Sequence, residues 1–512
     1  MDNSINASEK KPNIFQRFGR GFVQFWKDFG HGFVNFFKKL GSGFKNFFVN
    51  FGKRFADGSI GTKLSHFIMG AGSFYHKQYI KGAIFLILQV LFILFMVMCP
   101  TVNGTPYGWK ALGNLALKGN PGGYDDMGRL IEADDSTLFL LFGLVTIAII
   151  ILFIIVYLVN IASSYKADQD EKSGKKPTSF KEDWGNLLDS RFHILMLTPT
   201  CIAALVFTVI PTIFMISMAF STYNIVDMND ATEPYMKNLF HWNGLTNFID
   251  LFKGKTTLGH EIGARFFPVL GWTFIWAFFA TTTCYFGGIL LALLINKKGL
   301  QFKKVFRTIF ILTIAIPQFI SLLAMRNLLN GNGPVNQILM NFGWISKPIG
   351  FLGNNTVGDN PYLAKVMVII INMWLGVPYT MLMTSGILMN IPTDLYEAAR
   401  VDGTSPIKML FKITFPYVFF VTMPYLISSF VGNINSFNTI FLLTGGGPSV
   451  VGGTYVAGET DLLVTWLYKL TIDNGEYNTG AVVGILTFII TATITLIAYR
   501  NSKSYKEEDT FQ

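Results

Sequence analysis

From residue 83 onward the chain alternates long apolar runs with polar connections. The runs lie at about 83–99, 138–160, 194–220, 268–295, 308–329, 362–390, 413–443 and 481–499. At about 1.5 Å per residue each covers a hydrocarbon core roughly 30 Å thick, with differing tilt. The pattern therefore predicts eight transmembrane helices and an all-α membrane protein. The stretch 69–82 is too polar to span and reads as an interfacial lead-in to the first run. Two loop segments carry finer signals. Gly445-Gly-Gly-Pro448 marks a turn, and residues 460–470 show an apolar helical stripe expected to lie flat on the outer face.

The N-terminal sixty residues follow a different period. Phe18-Gly-Arg-Gly-Phe22, Phe29-Gly-His-Gly-Phe33, Leu40-Gly-Ser-Gly-Phe44 and Phe51-Gly-Lys-Arg-Phe55 begin at intervals of eleven. Eleven residues is close to three helical turns, so the aromatics form one stripe. Arg20, Lys27, Lys38, Lys39, Lys45, Lys53 and Arg54 keep the segment basic. A basic aromatic helix of this kind favours the plane of a membrane, with lipid as its partner. Its paired glycines cost roughly 1 kcal/mol each against alanine in a helix, so bound lipid is expected to supply the order.

Composition agrees with a membrane protein: 51% of the 512 residues are hydrophobic and 14% are charged. The net charge of +10 gathers near the N-terminus and in alternate loops, which points to an anionic membrane surface rather than nucleic acid. Lys166, Lys172, Lys175, Lys176, Lys181 and Arg191 crowd between the second and third runs, and Lys297, Lys298, Lys303, Lys304 and Arg307 between the fourth and fifth. The loops holding Asp125, Asp126, Asp134 and Asp135, or Asp227, Asp230 and Glu233, or Glu459, Asp461, Asp473 and Glu476, have few positive charges. The positive-inside rule then places both termini in the cytoplasm of a multi-pass cell-membrane protein. Cys99, Cys201 and Cys284 lie in or at the end of apolar runs without metal-like spacing.

Polar side chains within a span are costly in hydrocarbon and mark a cavity or a helix contact. In the sixth run Asn372, Leu375, Gly376 and Tyr379 share a helical face, and in the seventh Ser429, Asn433 and Ser436 repeat the spacing. Gly376 and Pro378 are expected to open the helix locally. Neutral amides, hydroxyls and an aromatic ring suit an uncharged polyol such as a sugar, but Ser and Asn also hydrogen-bond between membrane helices. Spacing alone leaves both readings open.

Between these two runs lies a cytoplasmic stretch, residues 391–416. It reads as two short helices: Asp394 and Glu397 are spaced as a capping box, Gly403 supplies a positive-φ helix end, and Ser405-Pro406 starts the second helix. Glu397 and Arg400 are placed to pair with each other or with a partner. Glu397-Ala398-Ala399, three residues, Gly403, nine residues, Ile413, one residue, Phe415-Pro416 resembles the coupling loop of importer-type ABC permeases. Phe415 stands where that family has Leu. The resemblance implies that Glu397, Ala398, Ala399, Arg400 and Gly403 dock on an ATPase subunit.

Further stretches resemble the larger permease subunit of bacterial maltose/maltodextrin importers, the MalF type. They are Asn-x-x-Leu-Gly-x-Pro-Tyr at 372–379, Ser-Phe-x-x-Asn at 429–433, Leu-Leu-Thr-x-Gly-Gly-Pro at 442–448 and Thr-Asp-Leu-Leu-Val at 460–464. The similarity covers residues 268–500 well and the first three runs more loosely. It implies a type I ABC importer permease fold of eight transmembrane helices with an N-terminal amphipathic extension. It also implies sugar contacts by Asn372, Leu375, Gly376, Tyr379, Ser429, Asn433 and Ser436. Gly432 stands where the enterobacterial proteins have Phe, and Ser436 where they have Asn, which widens the expected pocket. The loop 221–267 is too short for the large outer domain of the enterobacterial subunit, so the chain resembles a Gram-positive relative. Implied partners are a second permease of MalG type, two copies of an ATPase subunit carrying ATP and Mg, and an extracellular sugar-binding lipoprotein.

The expected organisation is 1–60 as the repeat segment, 61–267 as the first three spans, 268–500 as the permease core and 501–512 as a cytoplasmic tail. No Walker sequence Gly-x-x-x-x-Gly-Lys-Ser/Thr occurs, so no ATPase site, catalytic group, cofactor or metal is expected on this chain. Another neutral oligosaccharide remains an alternative cargo. An ion-coupled sugar carrier would need carboxylates inside the spans, and the apolar cores contain none.

Overall fold

Inside a membrane every backbone polar group must find its partner within the chain, and helices do this segment by segment. Helices account for nearly all regular structure among the described residues, the exceptions being two antiparallel hairpins, Thr101–Val102 with Thr105–Pro106 and Gly123–Tyr124 with Leu130–Ile131. The structure, a computed structural model, describes residues 14–102, 104–120, 122–124, 126–131, 133–223, 239–253, 263–297, 299–353, 360–450 and 457–501. Asp125, Asp227, Asp230, Glu233, Lys298 and most of the expected tail lie outside these residues, as does much of the loop 221–267. Seven helices are long and apolar enough to cross a membrane, and one bent pair meets the same test jointly. These match the eight expected spans. The chain divides into two units, Val23–Gly244 on the one hand and Met1–Phe22 with Leu245–Gln512 on the other.

The first unit contains α1 (Ile14–Asp57) from Val23 on, α2 (Ile60–Ser65), α3 (Ala71–Tyr75), α4 (Tyr79–Met98), α5 (Trp109–Asn114), α6 (Ser136–Lys172), α7 (Phe180–Leu188) and α8 (Phe192–Met218). The eleven-residue repeat is thus continuous helix from Ile14. The polar lead-in 69–82 is a built element: its helix α3, together with α2 just before it, docks on polar side chains that α6 offers at helical spacing. Asn160 accepts from the Gly70 amide at 2.9 Å and donates to the Ser65 carbonyl, while Tyr157 Oη donates to the His66 carbonyl at 2.8 Å. Asp168, 2% exposed, accepts from the Ser59 amide and hydroxyl, from Thr62 and from His76. A buried carboxylate is tolerable only with such a full set of donors.

The second unit contains α9 (Thr246–Lys253), α10 (Gly263–Asn296), α11 (Lys303–Ala315), α12 (Gln318–Leu328), α13 (Pro334–Asn341), α14 (Pro361–Met389), α15 (Thr393–Val401), α16 (Pro406–Ile434), α17 (Phe437–Leu443), α18 (Leu463–Tyr468) and α19 (Tyr477–Asn501). Its core gathers Trp272 and Trp276 of α10, Leu322 of α12, Val368 and Ile371 of α14 and Ile440 of α17. Without a hydrophobic drive between helices in lipid, close approach of backbones supplies the packing. At Gly376 an added Cβ would lie 2.6 Å from Cys284 Sγ, and at Gly288 it would lie 2.5 Å from Thr380 Cβ and 2.9 Å from the Met381 amide nitrogen. Replacing Gly288 with Val is therefore expected to separate α10 from α14 and cost at least about 1–3 kcal/mol. A melting temperature unchanged from wild type in detergent would refute this contact.

Proline decides where the helices deviate. The fifth span is α11 and α12, bent by 93°. Pro317 pushes the residue before it out of the helical region, and Ile316 is extended at ψ 126°. In α8 and α16 a wide π turn, at Leu205–Val209 and Leu410–Thr414, comes just ahead of Pro211 and Pro416. Widening relieves the clash of a proline ring with the carbonyl four residues back. The seventh apolar run does not continue as one helix to 443: α16 ends at Ile434 and α17 starts after Ser436.

Residues 460–470 do not lie flat on the outer face. Leu463, Thr465 and Trp466 are buried, the Trp272 indole donates to the Thr460 carbonyl at 3.1 Å, and buried Asp461 pairs with Lys469 at 2.6 Å. Nearby, Glu459 accepts from Arg265 at 3.1 Å and Lys365 at 2.9 Å. Burial works to raise the Glu459 carboxyl, but these two cations outweigh it and hold it below its ordinary 4.5. A lowered folded value contributes stability above pH 4.5 that is lost as pH falls through that value. Glu459→Gln is thus expected to melt below wild type at pH 7, with the gap closing progressively as pH falls below 4.5. A gap independent of pH would count against the pairing.

Candidate functional site

The bend in the fifth span creates a cleft. A helix end leaves its last carbonyls without intrahelical partners, and the Thr313 carbonyl in particular cannot receive an N–H from Pro317. Thr313, Ala315, Pro317 and Gln318 form one wall of a cavity of about 470 Å³, and Asn372, Leu375, Gly376 and Tyr379 of α14 form the other. All four expected residues of the sixth span thus meet in one place. None of the residues lining the cavity is charged. Tyr379 is 53% exposed, and its ring lies 6.0 Å from that of Tyr425 on α16. The helix does not open at Gly376 or Pro378, as α14 runs unbroken from Pro361 to Met389. Gly376 instead admits the Cys284 side chain, toward which the Asn372 amide also points at 3.5 Å.

The seventh-span residues are placed differently. Asn433 donates to Thr281 Oγ1 at 2.9 Å, and its carbonyl accepts from the buried Trp276 indole at 3.0 Å. It bonds α16 to α10 and does not line the cleft. Ser429 is half-buried on the same helix and is also outside the lining. Ser436 lies beyond the end of α16, so it does not share the helical face expected of it. Its hydroxyl donates to Thr439 at 3.1 Å, and Thr439 also receives Gln318 at 3.5 Å, which connects Ser436 to the cleft wall. At Gly432 an added Cβ would meet nothing within 4 Å.

The stretch 391–416 is one short helix, α15, and a turn into α16. The expected capping box is absent, because helix geometry begins at Thr393 with Pro392 as cap and places Asp394 inside the first turn. Gly403 has φ +66°, and the Thr404 amide closes onto the Ala399 carbonyl at 2.9 Å, which is the expected left-handed end. Ser405 caps the next helix through the Lys408 amide with Pro406 in its first turn. That second helix is not separate: it continues through the π turn into the seventh span. Glu397, Ala398 and Arg400 are exposed, with Ala399 half-buried. Around them Leu395, Val401 and Ile407 are 47%, 88% and 71% exposed, an apolar face on an otherwise polar turn. No ion pair joins Glu397 to Arg400 among the described residues. Tyr396 Oη and Thr414 Oγ1, 2.8 Å apart, bond α15 to the base of α16. Phe415 stacks on Phe411 at 5.4 Å and faces Phe286 at 6.5 Å, so the larger ring fits an aromatic row.

Residues 285–504 match the model of the binding-protein-dependent transport system inner membrane component family. The galactooligosaccharides transport system permease protein GanP of Bacillus subtilis is 33% identical over 442 residues, which cover 86% of this chain and 97% of that protein. The chain belongs to this permease family. The maltodextrin transport system permease protein MalC of Streptococcus pneumoniae is 32% identical over 447 residues, covering 86% of the permease described here and 95% of MalC. The maltose/maltodextrin transport system permease protein MalF of Salmonella typhimurium is 37% identical over 258 residues, covering half of this permease and 48% of MalF. The permease is thus a multi-pass membrane transport component with the type I importer permease fold and an N-terminal extension, as the resemblance implied.

Sequence reasoning missed four side chains of the permease that the structure places at these two sites. Gln318 was hidden in an apolar run, though Pro317 beside it marks the break. Tyr425, Tyr396 and Thr414 carry no local signal because their partners are 45 and 18 residues away along the chain.

Proposed function

We propose that the permease forms part of the translocation path of an ATP-driven importer of neutral oligosaccharides, of maltodextrin or related type. The observation that carries this reading is the uncharged cleft between the broken fifth span and the sixth. Free carbonyls and the Asn372 and Gln318 amides offer hydrogen-bond partners to sugar hydroxyls, and the Tyr379 ring offers a face for a pyranose. GanP, MalC and MalF are named for galactooligosaccharides, maltodextrin and maltose/maltodextrin, which supports an uncharged oligosaccharide as cargo. Asn372, Leu375, Gly376 and Tyr379 would contact the sugar directly. Ser436 would act through Thr439, and Ser429 and Asn433 would border the path from the seventh span.

The exposed apolar face around Glu397, Ala398, Ala399, Arg400 and Gly403 supports docking of a separate ATPase subunit, present in two copies and holding ATP and Mg. A second permease of MalG type and an extracellular sugar-binding lipoprotein would complete the importer. Both termini would lie in the cytoplasm, with α1 on the lipid surface, and no cofactor would reside on this chain. Uptake of labelled maltodextrin into vesicles containing the reconstituted importer tests the proposal. ATP-dependent uptake that ignores an imposed proton gradient is expected. Uptake that follows the gradient without ATP would overturn it in favour of an ion-coupled carrier.

A further inference from the structure

We infer that the first unit holds a site for an anionic phospholipid at the cytoplasmic edge of the membrane. A cavity of about 510 Å³ opens between α4, α6 and α7. One end is apolar, with Ile84 and Phe85 from the start of α4 and Val159 from α6, of which Ile84 and Val159 are exposed. The other end carries Lys166, in the last turns of α6, and Arg191, which immediately precedes α8. Val159 and Lys166 are seven residues apart on one helix, roughly 10 Å along its axis. That separation matches a phosphate at the basic end and the upper acyl chain at the apolar end.

The charge balance at this site favours an anion. Lys81 and Asp183 also line the cavity but neutralise each other at 2.7 Å, and Asp183 further accepts from Thr178. Asp170 also lines the cavity, about one turn beyond Lys166 on α6 and farther from the apolar end, which leaves three cations, Lys81, Lys166 and Arg191, against two carboxylates. Lys166 and Arg191 are exposed and in no ion pair among the described residues. The third wall is itself an interfacial element. α7 is capped by Ser179 and Glu182, and Phe180, Trp184 and Leu188, spaced by four, are exposed along one side at 37%, 50% and 49%. Aromatics presented this way sit at head-group depth. Basic pockets between spans on the cytoplasmic side suit anionic head groups.

The test uses the full-length permease purified in mild detergent and exposed to equal amounts of phosphatidylglycerol and phosphatidylcholine, with retained lipid counted by native mass spectrometry. Preferential retention of phosphatidylglycerol is expected. Two basic residues each contribute roughly fivefold, so Lys166→Gln with Arg191→Gln should reduce that preference by roughly tenfold or more. Ser163→Trp, which fills the cavity, should reduce retention of both lipids. Lys175→Gln with Lys176→Gln, outside the cavity, should change nothing, and α1 stays intact in every variant. As a second readout on the unaltered pocket, brominated phosphatidylglycerol should quench the fluorescence component that Trp184→Phe removes, and brominated phosphatidylcholine should quench it much less. Equal retention of the two lipids by wild type, unchanged preference in the double variant, or equal quenching would each overturn the site. Loss of binding to millimolar inorganic phosphate alone would also overturn it, because the site would then hold a free anion and not a lipid.

Discussion

Replacing Glu397 with Lys, or Gly403 with Val, is expected to lower sugar uptake at least about tenfold while the permease remains inserted, assembled and associated with continuing ATP hydrolysis. Tenfold corresponds to about 1.4 kcal/mol. Reversing a charge inside a docked interface typically costs more than that. Glu397 has no ion-pair partner among the described residues, so its removal should not disturb the isolated chain. Gly403 acts through geometry. At φ +66° a β-branched residue is strained by about 1–2 kcal/mol, although the space around it is open. The turn from α15 into α16 would change direction, and the docking face would no longer point where the seventh span can follow it. Tyr396→Phe should give a milder loss, since it removes only the bond to Thr414. Uptake and ATPase rates in proteoliposomes check all three, and normal uptake by both Glu397→Lys and Gly403→Val would remove the coupling role.

Filling the cleft is expected to have the second large effect. Ala315→Trp places an indole where the bend of the fifth span faces Asn372 and Gly376, and uptake should fall below detection while the ATPase subunit still copurifies. Tyr379→Ala should reduce uptake about tenfold by removing the ring from the cleft wall, with the loss mainly in KM. Asn433→Leu separates this role from a structural one. Its amide holds α16 to α10 through Thr281, so the expected result is a lowered melting temperature and reduced assembly. Unimpaired uptake by Ala315→Trp would place the sugar path elsewhere.

The spans were legible because a membrane imposes one rule on every helix: apolar length. The sixth-span face was legible for a related reason, as four residues on one unbroken helix keep their spacing in three dimensions. The seventh-span face failed at Ser436 because a helix had ended: Asn433, Asn435 and Ser436 around Ile434 serve equally as a polar face on a helix and as the cap residues of a break. The fifth run read as one span because a proline can either break a span, as Pro317 does, or sit inside an unbroken helix, as Pro378 does in α14. What decided between them was packing: α14 lies along α10 for much of its length, with Gly288 and Gly376 at the contact. The interfacial lead-in read as merely polar because its partners, Asn160 for Gly70, Asp168 for His76 and Thr178 for Gln78, lie about ninety to a hundred residues away.

The wide turn at Leu410–Thr414 also sets an angle. One extra residue within a helix rotates every later side chain by about 100° about the axis. Pro416, which occasions that turn, thereby fixes the screw phase between Ile407 at the exposed apolar face, proposed above for docking, and Asn433 where α16 meets α10. The two ends of α16 are thus indexed to each other like the ends of a threaded rod. A homologue that gained or lost a single residue between them would need to restore the phase as well as the length.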